Sequence, residues 1–302
     1  MNELEVRQLR YFVVVAEELH FGRAAARLGM AQPPLSRTIR DLERQLGVPL
    51  LERTTRQVRL TAAGEVLLRD ARTALEAVTA AAHRTRQAGS PSPRLRIALK
   101  ADIDGGLLPR ILDTYCADAA SLPAELILGG FGEQPQVLRE GRADVALLLC
   151  PFDDHGLDTE PLLTEPVLAA VAATDPLAAH TELRLADLAG RNLPGGSPAS
   201  HGRPTTPRPG LTSPASNLAE IFSLVETGSV VFFLPTSVAQ RYPRPGIAYR
   251  PVTDLPDATL ALAWPQDARS PAVAAFVRAA CTVAAARPPA DSIMPSAATS
   301  QI

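Results

Sequence analysis

The 302-residue chain contains few of the residue types on which covalent and metal chemistry depend. Its three cysteines, Cys116, Cys150 and Cys281, are too few and too widely spaced for a disulfide framework. Its five histidines show no paired metal-ligand spacing, and the sequence has no Gly-x-Ser-x-Gly elbow, phosphate-binding loop or catalytic cysteine motif. We therefore expect no metal, no cofactor and no enzymatic activity. Redox sensing by two cysteines stays open, although Cys116 and Cys281 lie in apolar, helix-like segments typical of a core.

Long apolar runs are also missing from the sequence, and we expect no signal peptide. No run approaches the ~20 apolar residues that a membrane-spanning helix needs. The first apolar stretch follows Glu3 and Glu5 and is interrupted by Glu17 and Glu18, unlike a signal peptide. At 46% hydrophobic and 21% charged residues, the composition is typical of a globular chain of two or three domains. We predict a cytoplasmic protein with no membrane partner.

Positive charge is carried almost entirely by arginine, because Lys100 is the only lysine. The formal net charge of −2 is unevenly distributed along the chain. Residues 1–60 hold ten arginines against seven acidic residues, a net charge of +3, and the remainder carries −5. A small basic module joined to an acidic one is expected when only one end of a protein contacts phosphates.

Residues 21–46 predict two short helices joined by a tight turn. Small alanines in the first helix allow a close helix crossing, and Gly29 can adopt the left-handed conformation that ends it. Pro33 and Pro34 suit the first turn of the second helix, where missing amide protons are tolerated. One face of the second helix is apolar and is formed by Leu35, Ile39, Leu42 and Leu46. The opposite face carries Ser36, Arg37 and Arg40.

The polar face of the second helix predicts a contact with DNA. A helix of this kind, placed after a tight turn, presents side chains to the major groove. A solvated face whose arginines pair with Asp41 and Glu43 is the alternative. The small-residue helix, the glycine turn and the Gln-Pro-Pro start together favour DNA recognition. The predicted contacts are Gln32, Pro33, Pro34, Ser36, Arg37 and Arg40.

Two very short strands with a basic tip are predicted over residues 50–61, which is the pattern of a wing. Arg53 and Arg56 would hold the phosphate backbone or an adjacent minor groove, supplying affinity more than sequence discrimination. An ordinary basic hairpin is the alternative, and it applies to Arg59 in particular.

A long helix is predicted from Thr61 to about Ala88, with Thr61 as its cap and no proline before Pro91. Its small and apolar residues repeat at alternating steps of four and three, the pattern of a seam between two helices. The seam comprises Leu67, Ala71, Ala74, Val78, Ala81 and Thr85. This pattern favours pairing of two copies of the chain, with packing on its own domain as the alternative.

Residues 1 to about 90 resemble the N-terminal half of LysR-type transcriptional regulators. The resemblance rests on Leu9-Arg10-Tyr11-Phe12, Phe21 with Ala24-Ala25 and Leu28, Gln32-Pro33-Pro34-Leu35-Ser36-Arg37, Leu51-Glu52-Arg53 and Leu60-Thr61-Ala62-Ala63-Gly64. One departure is Ala31, where the family usually has a serine or threonine that caps the helix. The resemblance implies a winged helix-turn-helix, a linker helix that makes a dimer, and recognition helices about 34 Å apart. It also implies a tetramer built from two dimers.

After a hinge at residues 89–93, strand and helix signals alternate, which predicts a parallel sheet with crossover helices. This part resembles, more diffusely, the effector-binding half of the same family through Leu108-Pro109, Gly141-Arg142-Ala143-Asp144-Val145-Ala146 and Leu234-Pro235-Thr236-Ser237. The resemblance implies a periplasmic-binding-protein-like fold with two subdomains around a cleft for a small-molecule effector. The strand ends expected at the cleft are Ala101, Asp102, Ile103, Gly130, Phe131, Cys150, Pro151, Pro235 and Thr236.

Residues 192–216 depart from the family, which usually has a strand and a full helix here. Their many prolines and glycines exclude a long helix, so we expect a trimmed second subdomain. Its side of the cleft is then open, covered by this loop, or no longer a small-molecule site. Residues 287–302 contain few large apolar groups and predict a disordered tail.

Together these patterns predict an α+β multidomain protein with a winged helix-turn-helix over residues 1–60 and a dimerisation helix with its hinge over 61–90. An α/β effector-binding domain over residues 91–286 precedes the tail. We expect a transcriptional regulator whose partners are double-stranded DNA, further copies of itself and a small-molecule effector of unknown identity. The alternative is a sensor or protein-interaction module with weak DNA binding, and an enzyme is a more distant one.

Overall fold

The structure, a computed structural model, describes residues 4–53, 57–202 and 217–287. The chain divides into two compact units, of which the first comprises residues 1–89 with 139–141 and the second comprises the rest. Arg56 and residues 288–302, which form nearly all of the predicted tail, lie outside the described residues.

The first unit is built from helices and a short hairpin. Its elements are α1 (Val6–Glu18), α2 (Phe21–Arg27), α3 (Gln32–Leu46), β1 (Leu51–Arg53), β2 (Val58–Leu60) and α4 (Ala62–Ala88). β1 and β2 pair antiparallel, with Glu52 opposite Arg59. The core between the helices contains the fully buried side chains of Phe12, Val15, Leu35, Ile39 and Leu42. The predicted winged helix-turn-helix and the long helix after it are confirmed.

The recognition helix α3 begins without a side-chain cap, because Ala31 occupies the N-cap position. Pro33 and Pro34 have no amide protons, so two of the donors that a helix start normally leaves unpaired are absent. At its other end the helix stops at Gly47, which adopts the left-handed conformation with φ 73°. The cap that the sequence lacks is therefore less needed than at an ordinary helix start.

Thr61 fixes the start of α4 in two ways. Its hydroxyl accepts a hydrogen bond from Gly64 N at 3.0 Å and donates one to Pro49 O at 2.8 Å. The backbone at Gly64 lies so close to Leu50 that a Cβ built on the glycine would be 2.1 Å from Leu50 O. The predicted cap is thus observed, and the first turn of α4 packs directly on the chain that enters the wing.

α1 is joined to the first half of α4 by apolar and ionic contacts. Leu9 and Val13 pack against Ala71. Glu17 pairs with Arg27 of α2 and with Arg72 of α4, both at 2.9 Å. The helix-turn-helix and the beginning of α4 therefore form one packed body.

The second unit contains two sheets with flanking helices. Its strands are β3 (Leu95–Lys100), β4 (Ala124–Gly129), β5 (Val145–Leu149), β6 (Leu157–Glu165), β7 (Val167–Ala172), β8 (Phe232–Pro235), β9 (Ile247–Pro251) and β10 (Ala258–Pro265). Its helices are α5 (Leu108–Cys116), α6 (Gln134–Arg139), α7 (Leu218–Glu226), α8 (Thr236–Arg241) and α9 (Pro271–Ala285). The core includes Tyr115 of α5 and Phe276 of α9, whose ring centroids are 5.4 Å apart.

The larger sheet has the order β4-β3-β5-β10-β6, and the smaller sheet has the order β8-β7-β9. β3 pairs in parallel with β4 and β5, whereas β10 pairs antiparallel with β5 and β6. Both pairs of the smaller sheet are antiparallel. The predicted parallel sheet is therefore right for β3, β4 and β5 and wrong for the other strands. β6 and β10 carry the chain out of and back into the larger sheet, so no helical crossover within that sheet sets their direction.

The smaller sheet is accompanied by α7, α8 and short 3-10 helices between residues 176 and 201. Of the proline- and glycine-rich segment, residues 192–202 are described and contain no α-helix, and the trimming predicted for the whole segment stays a prediction. Residues 203–216 lie outside the described part of the chain. None of the helices in the described ranges combines the length and the hydropathy of a membrane span.

Candidate DNA interface and effector site

Five side chains at the start of α3 share one exposed face. Gln32, Pro33, Ser36, Arg37 and Arg40 line a single shallow concavity of the surface. Pro34 is exposed beside them but does not line it. On the opposite side of the helix, Leu35, Ile39 and Leu42 are fully buried. The structure therefore brings most of the predicted contacts of α3 together on the solvent side.

The charge of this face comes from Arg37 and Arg40, which are exposed. Neither makes an ion pair with any residue in the described ranges, whereas Arg44 on the same helix pairs with Asp41. Glu43, the other nearby carboxylate, is engaged by the wing. The alternative of an internally paired, solvated face therefore describes Arg44 and does not describe the two arginines nearer the helix start.

Arg53, the last residue of β1, is turned towards the helices. Its Nη2 lies 3.1 Å from Glu43 Oε2, and its Cζ lies 4.7 Å from the centroid of the Phe21 ring. Glu43 Oε1 accepts the backbone N–H groups of Leu50 and Leu51 at 3.0 and 3.1 Å. A phosphate contact by Arg53, as predicted from the sequence, would have to be made by a guanidinium that already has two intramolecular partners.

The predicted seam of α4 divides into two parts. Leu67 and Ala71 pack against α1, so packing within the unit accounts for them. Ala74, Val78 and Ala81 are exposed, and 46% of Val78 is accessible to solvent. An exposed valine between alanines on one face of a long helix forms a surface that a second copy can cover.

The predicted effector residues lie at two places in the second unit. Residues 101–103, 130–131 and 150–151 directly follow β3, β4 and β5. Because these three strands are adjacent and parallel, the residues lie at the same edge of the larger sheet. Pro235 and Thr236 lie where β8 of the smaller sheet passes into α8.

Two side-chain contacts hold the end of α8 against the loop that follows β3. Tyr242 donates a hydrogen bond to Asp102, and Arg241 Nη1 lies 2.7 Å from Asp104 Oδ1. Asp104 is buried, so its charge depends on the neighbouring guanidinium for compensation. The pKa of Tyr242 is raised chiefly by its hydrogen bond to Asp102, and the pKa of Arg241 is raised by Asp104.

Several predicted effector residues have polar groups that are already bonded. The Thr236 hydroxyl donates to Pro166 O at 2.9 Å, and the Gly130 N–H donates to Glu133 at 2.8 Å. Pro235 is buried, Asp102, Ile103 and Cys150 are half-buried, and Ala101, Phe131 and Pro151 are exposed. Of these residues, the exposed Ala101, Phe131 and Pro151 are therefore the most accessible to a ligand.

No sequence pattern pointed to Asp104, Arg241 or Glu165. Glu165 is buried at the end of β6 and accepts hydrogen bonds from Ser237 N at 2.8 Å and from Ser237 Oγ at 2.6 Å. It anchors the start of α8, as Asp104 anchors the end. An acidic residue within an apolar stretch was the available signal, because a buried carboxylate requires a partner.

The cysteines are free thiols. Cys116 is exposed at the end of α5, so the expectation that it belongs to the core is wrong, because it lies off the buried face of the helix that Leu108, Ile111 and Tyr115 form. Burial raises the pKa of Cys150 and of Cys281, which disfavours the reactive thiolate. Within residues 4–53, 57–202 and 217–287, no group of three or more acidic, histidine and cysteine side chains is placed to hold a metal ion.

A winged helix-turn-helix followed by a long helix and a two-sheet α/β unit defines a DNA-binding protein with a separate regulatory unit. Residues 6–65 match the model of bacterial regulatory helix-turn-helix proteins of the lysR family, and residues 88–284 match the LysR substrate binding domain. The chain belongs to the LysR family of transcriptional regulators.

Full-length relatives agree with this assignment. The chain is 32% identical over 285 residues to the Hca operon transcriptional activator HcaR of Escherichia coli, covering 91% of this chain and 96% of the relative. It is 32% identical over 288 residues to the regulator AlsR of Bacillus subtilis, covering 91% and 94%. The crystal structure of the LysR family regulator CbnR matches with a TM-score of 0.54 at 25% identity, covering 93% and 99%. The protein is thus a DNA-binding transcriptional regulator that oligomerises and carries an effector-binding domain.

Proposed function

We propose that the exposed face of α3 reads base edges in the major groove. The base contacts are Gln32, Ser36, Arg37 and Arg40, with Pro33 and Pro34 beside them. The observation that carries the proposal is the pair of exposed arginines, Arg37 and Arg40, which have no acidic partner in the described part of the chain. Such guanidinium groups are free to bind guanine in bidentate fashion. Arg56, which stands between β1 and β2 in the sequence, adds a phosphate contact.

Two copies of the chain pair through the exposed part of α4, formed by Ala74, Val78 and Ala81. Pairing through a long helix next to each DNA-binding unit would set the two α3 helices about one turn of the duplex apart, roughly 34 Å. A tetramer would contain two such dimers. The protein acts in the cytoplasm, where its target DNA lies. It has no catalytic activity of its own.

A small molecule binds in the second unit at the edge formed by residues 101–103, 130–131 and 150–151. Binding of this molecule changes the equilibrium between two conformations of the regulator. Such a change requires that the molecule bind the two conformations with different affinities. The contacts of Tyr242 with Asp102 and of Arg241 with Asp104 lie next to this edge and would report which conformation is present.

Binding of the full-length chain to the DNA immediately upstream of its own coding region tests the proposal. Fluorescence anisotropy across a salt series would compare this duplex with random-sequence DNA of the same length. We expect tight, selective binding that weakens steeply with salt, because each phosphate contact releases counterions. Base reading by α3 would be contradicted if the chain bound the upstream duplex no better than random DNA and if selection from a random DNA pool also gave no preferred duplex.

A further inference from the structure

Arg53 lies at the junction of the wing with both helices of the helix-turn-helix. It contacts Glu43 in the second half of α3 and the Phe21 ring at the start of α2. The side chains of Arg53 and Glu43 are 29% and 16% exposed, so the pair is partly shielded from water and salt. A planar guanidinium with a carboxylate at its edge and an aromatic ring on its face is fixed in direction.

Glu43 uses both of its carboxylate oxygens at this junction. Oε1 accepts the N–H groups of Leu50 and Leu51, and Oε2 accepts Arg53. One side chain of the recognition helix therefore holds the beginning of β1 through its backbone and the end of β1 through its last side chain. Arg44, one residue further along α3, makes the exposed pair with Asp41 and, among the residues that the structure describes, contacts no other element through an ion pair.

The wing depends on such an external anchor. β1 and β2 pair over three residues each, and a two-stranded ribbon of this size is at best marginally stable on its own. Arg53 is the last residue of β1. The contacts of this residue therefore hold the end of β1 at one place on the helices.

We propose that Arg53 is a positioning residue that fixes the wing at one angle to α3, in place of the phosphate contact that the sequence predicted. The inference rests on the proposed function, because the angle matters when α3 and the wing contact one duplex. With the angle fixed, the two elements meet the major groove and the neighbouring backbone together. Without it, the two strands of the wing sample several angles to α3, and the duplex has to select one of them.

The test uses the full-length chain and a duplex that the wild type selects from random-sequence DNA. Arg53→Met, Glu43→Gln and the double variant are compared with Arg44→Met, a matched loss of an arginine whose side chain is 79% exposed. Dissociation constants for the selected duplex and for a random duplex are measured across a salt series, well below the unfolding temperature. Thermal unfolding of each variant is recorded separately.

We expect Arg53→Met and Glu43→Gln each to weaken binding to the selected duplex about 5- to 10-fold with an unchanged salt slope. The double variant should bind about as weakly as the worse single variant, because both act through one contact. Preference for the selected duplex over random DNA should fall in parallel. Arg44→Met should bind within about 2-fold of the wild type, since its exposed pair with Asp41 contributes little.

Two results would overturn the proposal. If Arg53 contacts a phosphate, Arg53→Met lowers the salt slope by about 0.9, and Glu43→Gln binds more tightly because it frees the arginine. If Arg53 serves stability alone, its loss lowers the unfolding temperature and leaves the dissociation constants of the folded chain unchanged.

Failure of the proposed function has a different signature, because the wild type then selects no duplex. Hydrogen exchange of the Leu50 and Leu51 amides still tests the junction in the absence of DNA. Faster exchange in Arg53→Met and Glu43→Gln than in Arg44→Met would support the anchor. Equal exchange in all variants would overturn it.

Discussion

Arg37 and Arg44 belong to the same helix but differ in their surroundings. Arg37 is exposed on the face of the shallow concavity, whereas Arg44 pairs with Asp41. We expect Arg37→Ala to weaken binding to the target duplex by about 1–3 kcal/mol and to relax specificity at one base pair. Arg44→Ala should change binding by about 0.5 kcal/mol or less. Anisotropy titrations with the target and its single-base variants measure both; an equal loss on every duplex would make Arg37 a phosphate contact.

Tyr242 gives the second unit a stability that depends on pH. Its hydrogen bond to Asp102 raises its pKa above that of a tyrosine in an unfolded chain, which is about 10. The folded protein keeps a proton there that the unfolded chain releases, so this stabilisation is complete below about pH 10 and is lost as the pH rises through the folded pKa.

We expect Tyr242→Phe to lower the free energy of unfolding at pH 8 by about 1 kcal/mol, because one hydrogen bond to a carboxylate is lost. The variant should also lose stability less steeply than the wild type above about pH 10. Urea unfolding at a series of pH values measures both, with Tyr11→Phe in the first unit as the control. Identical pH profiles for Tyr242→Phe and the wild type would contradict the expectation.

The first turn of α4 packs closely on the backbone of Leu50. A Cβ on Gly64 would lie 2.1 Å from Leu50 O, which is backbone and cannot rotate away. We expect Gly64→Ala to lower the free energy of unfolding by about 2 kcal/mol or more, although alanine is the better helix former. Gly89→Ala is the control, because the nearest atom to its new Cβ is 3.7 Å away. Equal unfolding midpoints for the two variants would show that α4 does not start against the wing.

Elements whose signal is local could be predicted from the sequence, and those that depend on distant partners could not. The apolar periodicity of α3 and the Thr61 cap of α4 predicted both helices and the exposed face of α3 that we propose binds DNA. β6 contains Asp158-Thr159-Glu160-Pro161, which breaks the alternation of a strand, and it is tolerated because β6 is an edge strand. The contact between Tyr242 and Asp102 joins residues 140 positions apart, and neither residue predicts its partner from the sequence.

For the whole molecule, the exposed part of α4 determines the size of the assembly that we propose. Val78→Glu would place a charge at the centre of the paired surface, where burial without a partner costs several kcal/mol. We expect the dissociation constant of that pairing to rise about 100-fold or more in sedimentation experiments. Thr73→Glu, about 140° away around the helix, is the matched control and should leave the assembly unchanged. An unaltered sedimentation profile for Val78→Glu would place the pairing elsewhere.

The links from Glu17 to both Arg27 and Arg72 have a mechanical consequence. Together with the packing of α1 on Ala71, they make the helix-turn-helix and the first turns of α4 move as one rigid body. Such a body does not bend where α1 contacts α4 when the C-terminal end of α4 is displaced. If an effector signal reaches the DNA-binding units through α4, we therefore expect it to alter the spacing and tilt of the two units of a dimer, while the shape of each unit stays the same.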